Sequence, residues 1–168
     1  MTRIGVISDT HGWLHPDIKK YFKDCDQIWH AGDIGSIDLI NELVEIAPVH
    51  AVFGNIDDLH TRKMYKEFRL FLVEDLKIWM THIGGYPGRY APGIPALLNQ
   101  HKPNIFVCGH SHILKIMPDK KRNMLHINPG AAGQFGFHLV KTLVRFTIDG
   151  SKMDNMEVIE LPEMQKKL

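Results

Sequence analysis

Seven residues of this chain carry side chains that bind divalent metals, no two of them adjacent, and each lies just beyond a short apolar run. They are Asp9 and His11 in Ser8-Asp9-Thr10-His11-Gly12, Asp33 in Ala31-Gly32-Asp33, Asn55 in Gly54-Asn55-Ile56-Asp57, His82 after Thr81, and His110 and His112 in Gly109-His110-Ser111-His112. Two Asp, one Asn and four His offer donors enough for two ions, with no thiolate among them. Such a set suits manganese, iron, nickel or zinc over calcium. The chemistry it points to is metal-assisted hydrolysis of a phosphate ester. Two ions about 3.5–4 Å apart lower the pKa of a shared water and clamp a phosphoryl group during in-line displacement. An Asp bridges two cations well, because each of its oxygens can serve one metal. Asp33, alone in its turn and midway in the series, is the candidate bridge.

The spacing says how the backbone would present these groups. Residues two apart in extended chain face the same way, so Asp9 and His11 can reach one ion together. His110 and His112 can do the same, or divide between two ions. In parallel α/β sheets the ligand crevice lies beyond the carboxyl ends of the strands. Apolar, β-branched-rich runs at 4–7, 27–29, 49–53, 78–81 and 105–108 would deliver all seven groups to one rim. Gly32, Gly54 and Gly109 each precede a candidate ligand, where a side chain would crowd the ions or force a costly φ.

Between these runs, helices are expected at 17–23, with Pro16 at its first turn, and at 36–47, with Ser36 as N-cap and Pro48 as terminator. The rhythm is βαβαβ, with right-handed crossovers. Residues 68–73 and 77–81 read as an antiparallel pair turning at Glu74-Asp75. A short helix over 94–101 ends before Pro103. The runs at 113–117, 124–127, 142–148 and 156–159 read as an antiparallel meander, and 163–168 as a fraying end. A parallel half followed by an antiparallel half implies an α/β sandwich of two sheets, as one domain over 1–168.

Composition bounds the function. The 168 residues are 44% hydrophobic, enough for a sizeable core, and carry a net charge of +1. The basic residues are scattered, so no nucleic-acid footprint stands out, and Lys120-Lys121-Arg122 reads as a solvated hairpin turn. Cys25 and Cys108 form neither a metal spacing nor a disulfide framework. The first apolar run is too short for a signal peptide or a membrane span, so a soluble cytoplasmic protein is expected, with no membrane partner. A homo-oligomer stays open, since Trp79 and 135–137 could be core or interface.

Other residues have smaller claims. His15, His50, His60, His101, His126 and His138 are read as surface or satisfied core residues. His30 could be an outer partner of a ligand carboxylate, and Asp57, two residues past Asn55, could orient a ligand His. The Gly- and Pro-rich loop 84–93 could cover one side of the cleft, with Arg89 meeting a substrate phosphate.

From Ile4 to about Gly130 the chain resembles the calcineurin-like metallophosphoesterases, within them the small single-domain phosphodiesterases of bacteria and archaea. The blocks that carry the resemblance are Asp9-x-His11, Gly32-Asp33, Gly54-Asn55-x-Asp57, His82 and Gly109-His110-x-His112, and Asn128-Pro129-Gly130 resembles a turn common in the small branch. The resemblance implies a four-layer α-β-β-α sandwich, two mixed sheets flanked by helices. It implies one ion on Asp9, His11, Asp33 and His112 and another on Asp33, Asn55, His82 and His110. Two departures stand out. Many relatives have His where Ile56 stands, able to protonate the leaving group; here that work falls to another group, a water or the leaving group's own stability. Relatives often have Gly after His82, where this chain has Ile83 before Gly84-Gly85.

The reading is a dinuclear metal-dependent phosphoesterase, a phosphodiesterase in preference to a monoesterase, acting on a small phosphate ester through a metal-bridging hydroxide. Manganese is the first choice of ion, with nickel, iron or zinc as others. Asp33, Asn55, His82 and Asp57 are the candidate catalytic residues. The rival is a metal-retaining interaction scaffold similar to the retromer subunit of this fold, which lacks part of the ligand set.

Overall fold

Alternate residues along each central strand enter different hydrophobic cores, and that alternation fixes the layering. In β1 (Thr2–Ile7), Ile4 and Val6 enter one core and Ile7 a second. Counting on in chain order, β5 (Leu76–Thr81) sends Ile78 and Met80 into the first core and Trp79 into a third. β8 (Ile105–Val107) splits in the same way, Ile105 and Val107 against Phe106. Strands buried on both faces must be apolar on both, which is why these runs read as continuous hydrophobic segments.

The computed structural model describes residues 1–164; of the expected fraying end, 165–168 lie outside the described residues. One five-stranded sheet has the order β12-β11-β1-β2-β3, built from β1, β2 (Gln27–His30), β3 (Val49–Ala51), β11 (Lys141–Asp149) and β12 (Lys152–Leu161). β1, β2 and β3 run parallel, and β11 and β12 add antiparallel strands at one edge. The other five-stranded sheet has the order β4-β5-β8-β10-β9, with β4 (Phe68–Val73), β9 (Leu114–Asp119) and β10 (Met124–Pro129). Its centre, β5-β8-β10, is parallel and its two edges are antiparallel.

The two sheets meet over the first core, which includes Val6, Trp29, Ile78, Val107 and Phe146. α1 (Ile18–Phe22) and α2 (Ile37–Val44) cover the first sheet through Ile18, Phe22, Leu39, Ile40 and Leu43. α4 (Ile94–His101) covers the second through Ile94 and Leu98 against Trp79 and Phe106. The result is the four-layer α-β-β-α sandwich with two mixed sheets. Ser36 caps α2 as expected, accepting from the Asp38 amide.

Several elements differ from the sequence expectation. α2 closes at Val44, before Ala47. α3 (Leu59–Met64) has no apolar stripe to announce it and is started by the Asp58 carboxylate, which accepts from the Thr61 amide. The expected loop 84–93 contains a small hairpin, β6 (Gly85–Tyr86) and β7 (Arg89–Tyr90). The C-terminal runs are not one meander. β9 and β10 pair in one sheet, and the chain then crosses to the other, where β11 and β12 pair. Alternation reports that a strand is buried, not which of two apolar sheets receives it. Lys120-Lys121-Arg122 does sit in the β9–β10 turn, but Arg122 is not merely solvated. It pairs with Asp119 at 3.0 Å, which also accepts from Tyr90 Oη at 2.7 Å. Trp79 is core, whereas Phe135 and Phe137 are exposed.

Candidate metal centre

The carboxyl ends of β1, β2, β3, β5 and β8 emerge on one rim, and the loops that follow remain laced together. Asp9 N donates to Gly32 O at 3.0 Å, His11 N to Asp33 O at 3.0 Å and Gly109 N to His82 O at 2.9 Å. The first two join loops of one sheet and the third joins loops of the other. The sheets are tied together by His110 N on Asp9 Oδ2 at 3.1 Å and His82 Nδ1 on Ala31 O at 2.7 Å, so the rim spans the sandwich rather than one layer.

Along this rim two triads form, Asp9 with His11 and His112, and Asp33 with His82 and His110, each with its ligand atoms within 4.8 Å of one another. Asp9 and Asp33 are built alike. Asp9 Oδ2 accepts from Ser8 Oγ at 2.7 Å and from His110 N at 3.1 Å, which leaves Oδ1 facing the imidazoles. That oxygen lies 3.2 Å from His112 Nε2, 3.7 Å from His82 Nε2 and 4.0 Å from His11 Nε2. Asp33 Oδ1 accepts from Ile56 N at 3.0 Å, while Oδ2 lies 3.2 Å from His82 Nε2 and 3.7 Å from His11 Nε2. One oxygen of each Asp therefore faces both triads. Asp33 Oδ1 is engaged by a backbone amide while Oδ2 faces the imidazoles of both triads.

The donor chemistry fits divalent ions. Asp9 Oδ1, His11 Nε2 and His82 Nε2 are buried and make no well-aligned hydrogen bond. Buried polar atoms without partners are costly, and converging lone pairs of Asp and His supply what a borderline cation accepts. His82 Nδ1 sits 2.7 Å from Ala31 O. A carbonyl only accepts, so Nδ1 carries a proton and Nε2 is the nitrogen left to bind an ion. Among themselves the carboxylates and imidazoles favour their charged forms: against burial, Asp33 and Asp9 raise the pKa of His82, and Asp9 raises that of His112, so an ion bound here would take the place of protons. Burial opposes ionisation of Asp9, but the imidazoles of His112 and His82 and the Ser8 hydroxyl outweigh it and hold its pKa below the usual range. For Asp33 burial is again overcome, by His82, the Ile56 amide and His11, and its pKa is lowered.

The backbone at these positions is not extended. Asp9, His11, Asp33, His110 and His112 all hold positive φ, between 49° and 70°. Non-glycine residues adopt this region at a cost and concentrate there at functional sites. Asp9 and His11 share a triad through a turn, then, and His110 and His112 divide between the two triads. The expected backbone cost holds at Gly32, whose φ is 97°, but what a side chain at these glycines would crowd is a neighbouring ligand. A Cβ on Gly54 would overlap Asp33 Oδ1, and one on Gly32 would stand 2.7 Å from His82 Nδ1. They make room for a neighbouring ligand rather than for the ions.

The remaining candidates land as follows. Asn55 is exposed on the turn beside Asp33, and its carbonyl accepts from Arg62 Nη2 at 2.9 Å. Asp57 is buried, and its carboxylate accepts from the amides of Ile34 at 3.1 Å, Gly35 at 2.8 Å and Gly54 at 2.8 Å. It touches no imidazole, so it positions the Asp33 and Asn55 turns and does not orient a His. His30 bonds no carboxylate; Nδ1 accepts from Gly32 N at 3.1 Å, and Nε2 lies 2.9 Å from the Thr10 hydroxyl, which donates to Ile34 O. It braces one ligand turn against the other. Arg89 is exposed on β7 and does not line the cleft beside His82. That cleft, about 400 Å³, takes its cation from Arg62 and its apolar walls from Phe53, Phe68, Ile83 and Pro92. Two neighbours of the ligands have no part in the site as read from the sequence: Ser8, marked only by adjacency to Asp9, and His138, read as a surface or satisfied core residue, whose Nδ1 lies 3.2 Å from His112 Nδ1.

Comparisons with known proteins place the chain in a family and a fold. The family model for the calcineurin-like phosphoesterase superfamily domain matches residues 2–151. A probable metallophosphoesterase of Methanothermobacter thermautotrophicus is 31% identical, covering 90% of this chain and 88% of the relative. Another, of Methanocaldococcus jannaschii, is 32% identical, covering 76% of this chain and 67% of the relative. Among solved structures, Vps29 of Chaetomium thermophilum is similar with a TM-score of 0.76 at 16% identity, covering 95% of each chain. An archaeal phosphodiesterase gives 0.72 at 23% identity, covering 95% of this chain and 99% of that one. No helix among the described residues is long and apolar enough to cross a membrane.

Proposed function

The chain belongs to the calcineurin-like phosphoesterase superfamily, and on that premise we propose that it is a two-metal phosphodiesterase acting on small esters in the cytoplasm. The observation that carries the reading is the pair of triads with one oxygen of Asp9 and one of Asp33 turned toward both. Asp9, His11, Asp33 and His112 would hold one ion, and Asp33, Asn55, His82 and His110 the other. Bound there, two divalent ions, manganese by preference, would activate a shared water and neutralise charge on the phosphoryl oxygens.

The chain's own residues would do the rest. Asp57 and Arg62 fix the Asn55 turn through its backbone. The Ala31 carbonyl holds His82 in the coordinating tautomer. Ile56 offers no proton, so departure depends on a leaving group that is stable as an anion or on a water. The apolar cleft beside His82 suits an aryl or similarly flat leaving group, which favours a diester of that kind. The near-neutral charge speaks against a nuclease, which needs a basic face for flanking phosphates. The scaffold alternative draws on the likeness to Vps29, but a likeness of fold does not separate the two readings, and the full ligand set favours turnover.

Hydrolysis of bis(4-nitrophenyl) phosphate with added manganese tests this. Wild type should be faster than Asp33→Ala and His110→Ala by roughly 100-fold or more, given what metal-activated water contributes. Equal rates for all three would sink the catalytic reading.

A further inference from the structure

We infer that His138 is a positioning residue for the metal centre, holding His112 in the tautomer that presents Nε2. The inference rests on the metal-binding reading above and adds to it a residue outside every motif of the chain. His138 lies on the segment linking β10 to β11, far in sequence from any ligand except through the fold.

The argument is one of proton placement. His138 Nε2 lies 2.9 Å from the carbonyl oxygen of Gly133. A carbonyl only accepts, so Nε2 carries the proton and Nδ1 of the neutral ring is a lone pair. That Nδ1 lies 3.2 Å from His112 Nδ1. Two lone pairs do not bond, so His112 Nδ1 is the donor in this contact, and Nε2 is the nitrogen an ion would take in place of any proton it shares with Asp9. His112 Nε2 is the atom 3.2 Å from Asp9 Oδ1 in the first triad. Outer partners of this kind fix both the tautomer and the ring plane of a ligating His.

The segment is built to hold that contact. Gly133 N donates to Asp9 O at 3.0 Å, so the chain of bonds from His112 through His138 and Gly133 returns to the backbone of the other ligand in the triad. A Cβ on Gly133 would press on the carbonyl oxygens of Asp9 and Thr10, and one on Gly136 would overlap His112 Nδ1. Phe135 of the same segment lies with its ring centroid 6.2 Å from that of His11. Four residues of this segment, Gly133, Phe135, Gly136 and His138, thus meet the Asp9, His11 and His112 triad, while the Asp33 triad has its own outer partner in Ala31 O.

The test is manganese(II) titration of the metal-free full chain, with free manganese read by its EPR signal, on wild type, His138→Ala and His138→Asn. Asn places an acceptor, Oδ1, close to where Nδ1 stands. His138→Ala should weaken one of two sites by about 10–100-fold and spare the other, and His138→Asn should stay within about threefold of wild type. An unchanged His138→Ala would overturn the inference, and so would equal losses in both variants, which would make the ring a spacer. Failure of wild type to bind manganese would instead overturn the metal reading itself, a result this titration separates from the other two.

Discussion

At the scale of single residues, the centre depends on side chains that never reach an ion. Asp57 accepts three backbone amides from two ligand turns. Asp57→Asn would place an amide donor against at least one of them and leave buried N–H groups short of an acceptor. A loss of about 1–3 kcal/mol is expected, together with weaker metal binding, read by thermal unfolding and by metal titration. An unchanged melting temperature would show that water replaces the lost acceptor. Ile56 allows a gain to be sought. It is 47% exposed, and its amide holds Asp33 Oδ1, so its side chain can change without altering that bond. Ile56→His should speed hydrolysis of diesters with poor alkyl leaving groups by ~10–100-fold, and aryl diesters much less, as a new general acid would. Equal effects on both would place residue 56 away from the leaving group. The seven candidate ligands stood out in the sequence because their types and spacing are rare together. The roles of Asp57, His30 and Arg89 did not, because each is set by which backbone group lies opposite, and spacing along the chain does not carry that.

At the scale of elements, the strand ends act as a frame that brings two sheets to one rim, and the glycines are its fitting points. Gly54 does not need an unusual φ; it needs an empty space where Asp33 Oδ1 passes. Gly54→Ala should therefore displace Asp33 and weaken metal binding by at least ~10-fold while β3 and α3 persist, seen as lost affinity with unchanged far-ultraviolet circular dichroism. Wild-type affinity in that variant would mean the turn can yield. The parallel strands were legible from their apolar runs. The sheet switch between β10 and β11 was not, since both sheets present the same apolar requirement to a strand. Nor were the left-handed ligand turns, since Asp and His in such turns look the same in sequence as they do in extended chain.

At the scale of the whole molecule, the sandwich buries ionisable rings that must stay neutral. Burial lowers His30, His50 and His126 to about 4 each from 6.5, and both ring nitrogens of His126 lack partners. The unfolded chain binds these protons at higher pH than the folded one, so stability falls as pH drops from 6.5 toward 4. The metal-free protein should lose stability across that window, and His126→Leu should remove roughly 1–3 kcal/mol of the loss, measured by urea unfolding at several pH values. A variant with the same pH slope as wild type would assign the loss elsewhere. The account as a whole stands on two ions held side by side by the Asp9 and Asp33 triads, with Asp33 common to both. Its most direct test is the EPR spectrum of the full chain loaded with manganese(II). Two ions per chain with an exchange-coupled multiline signal are expected, as for ions about 3.5–4 Å apart. A single uncoupled six-line signal at saturation, or no bound manganese, would contradict it.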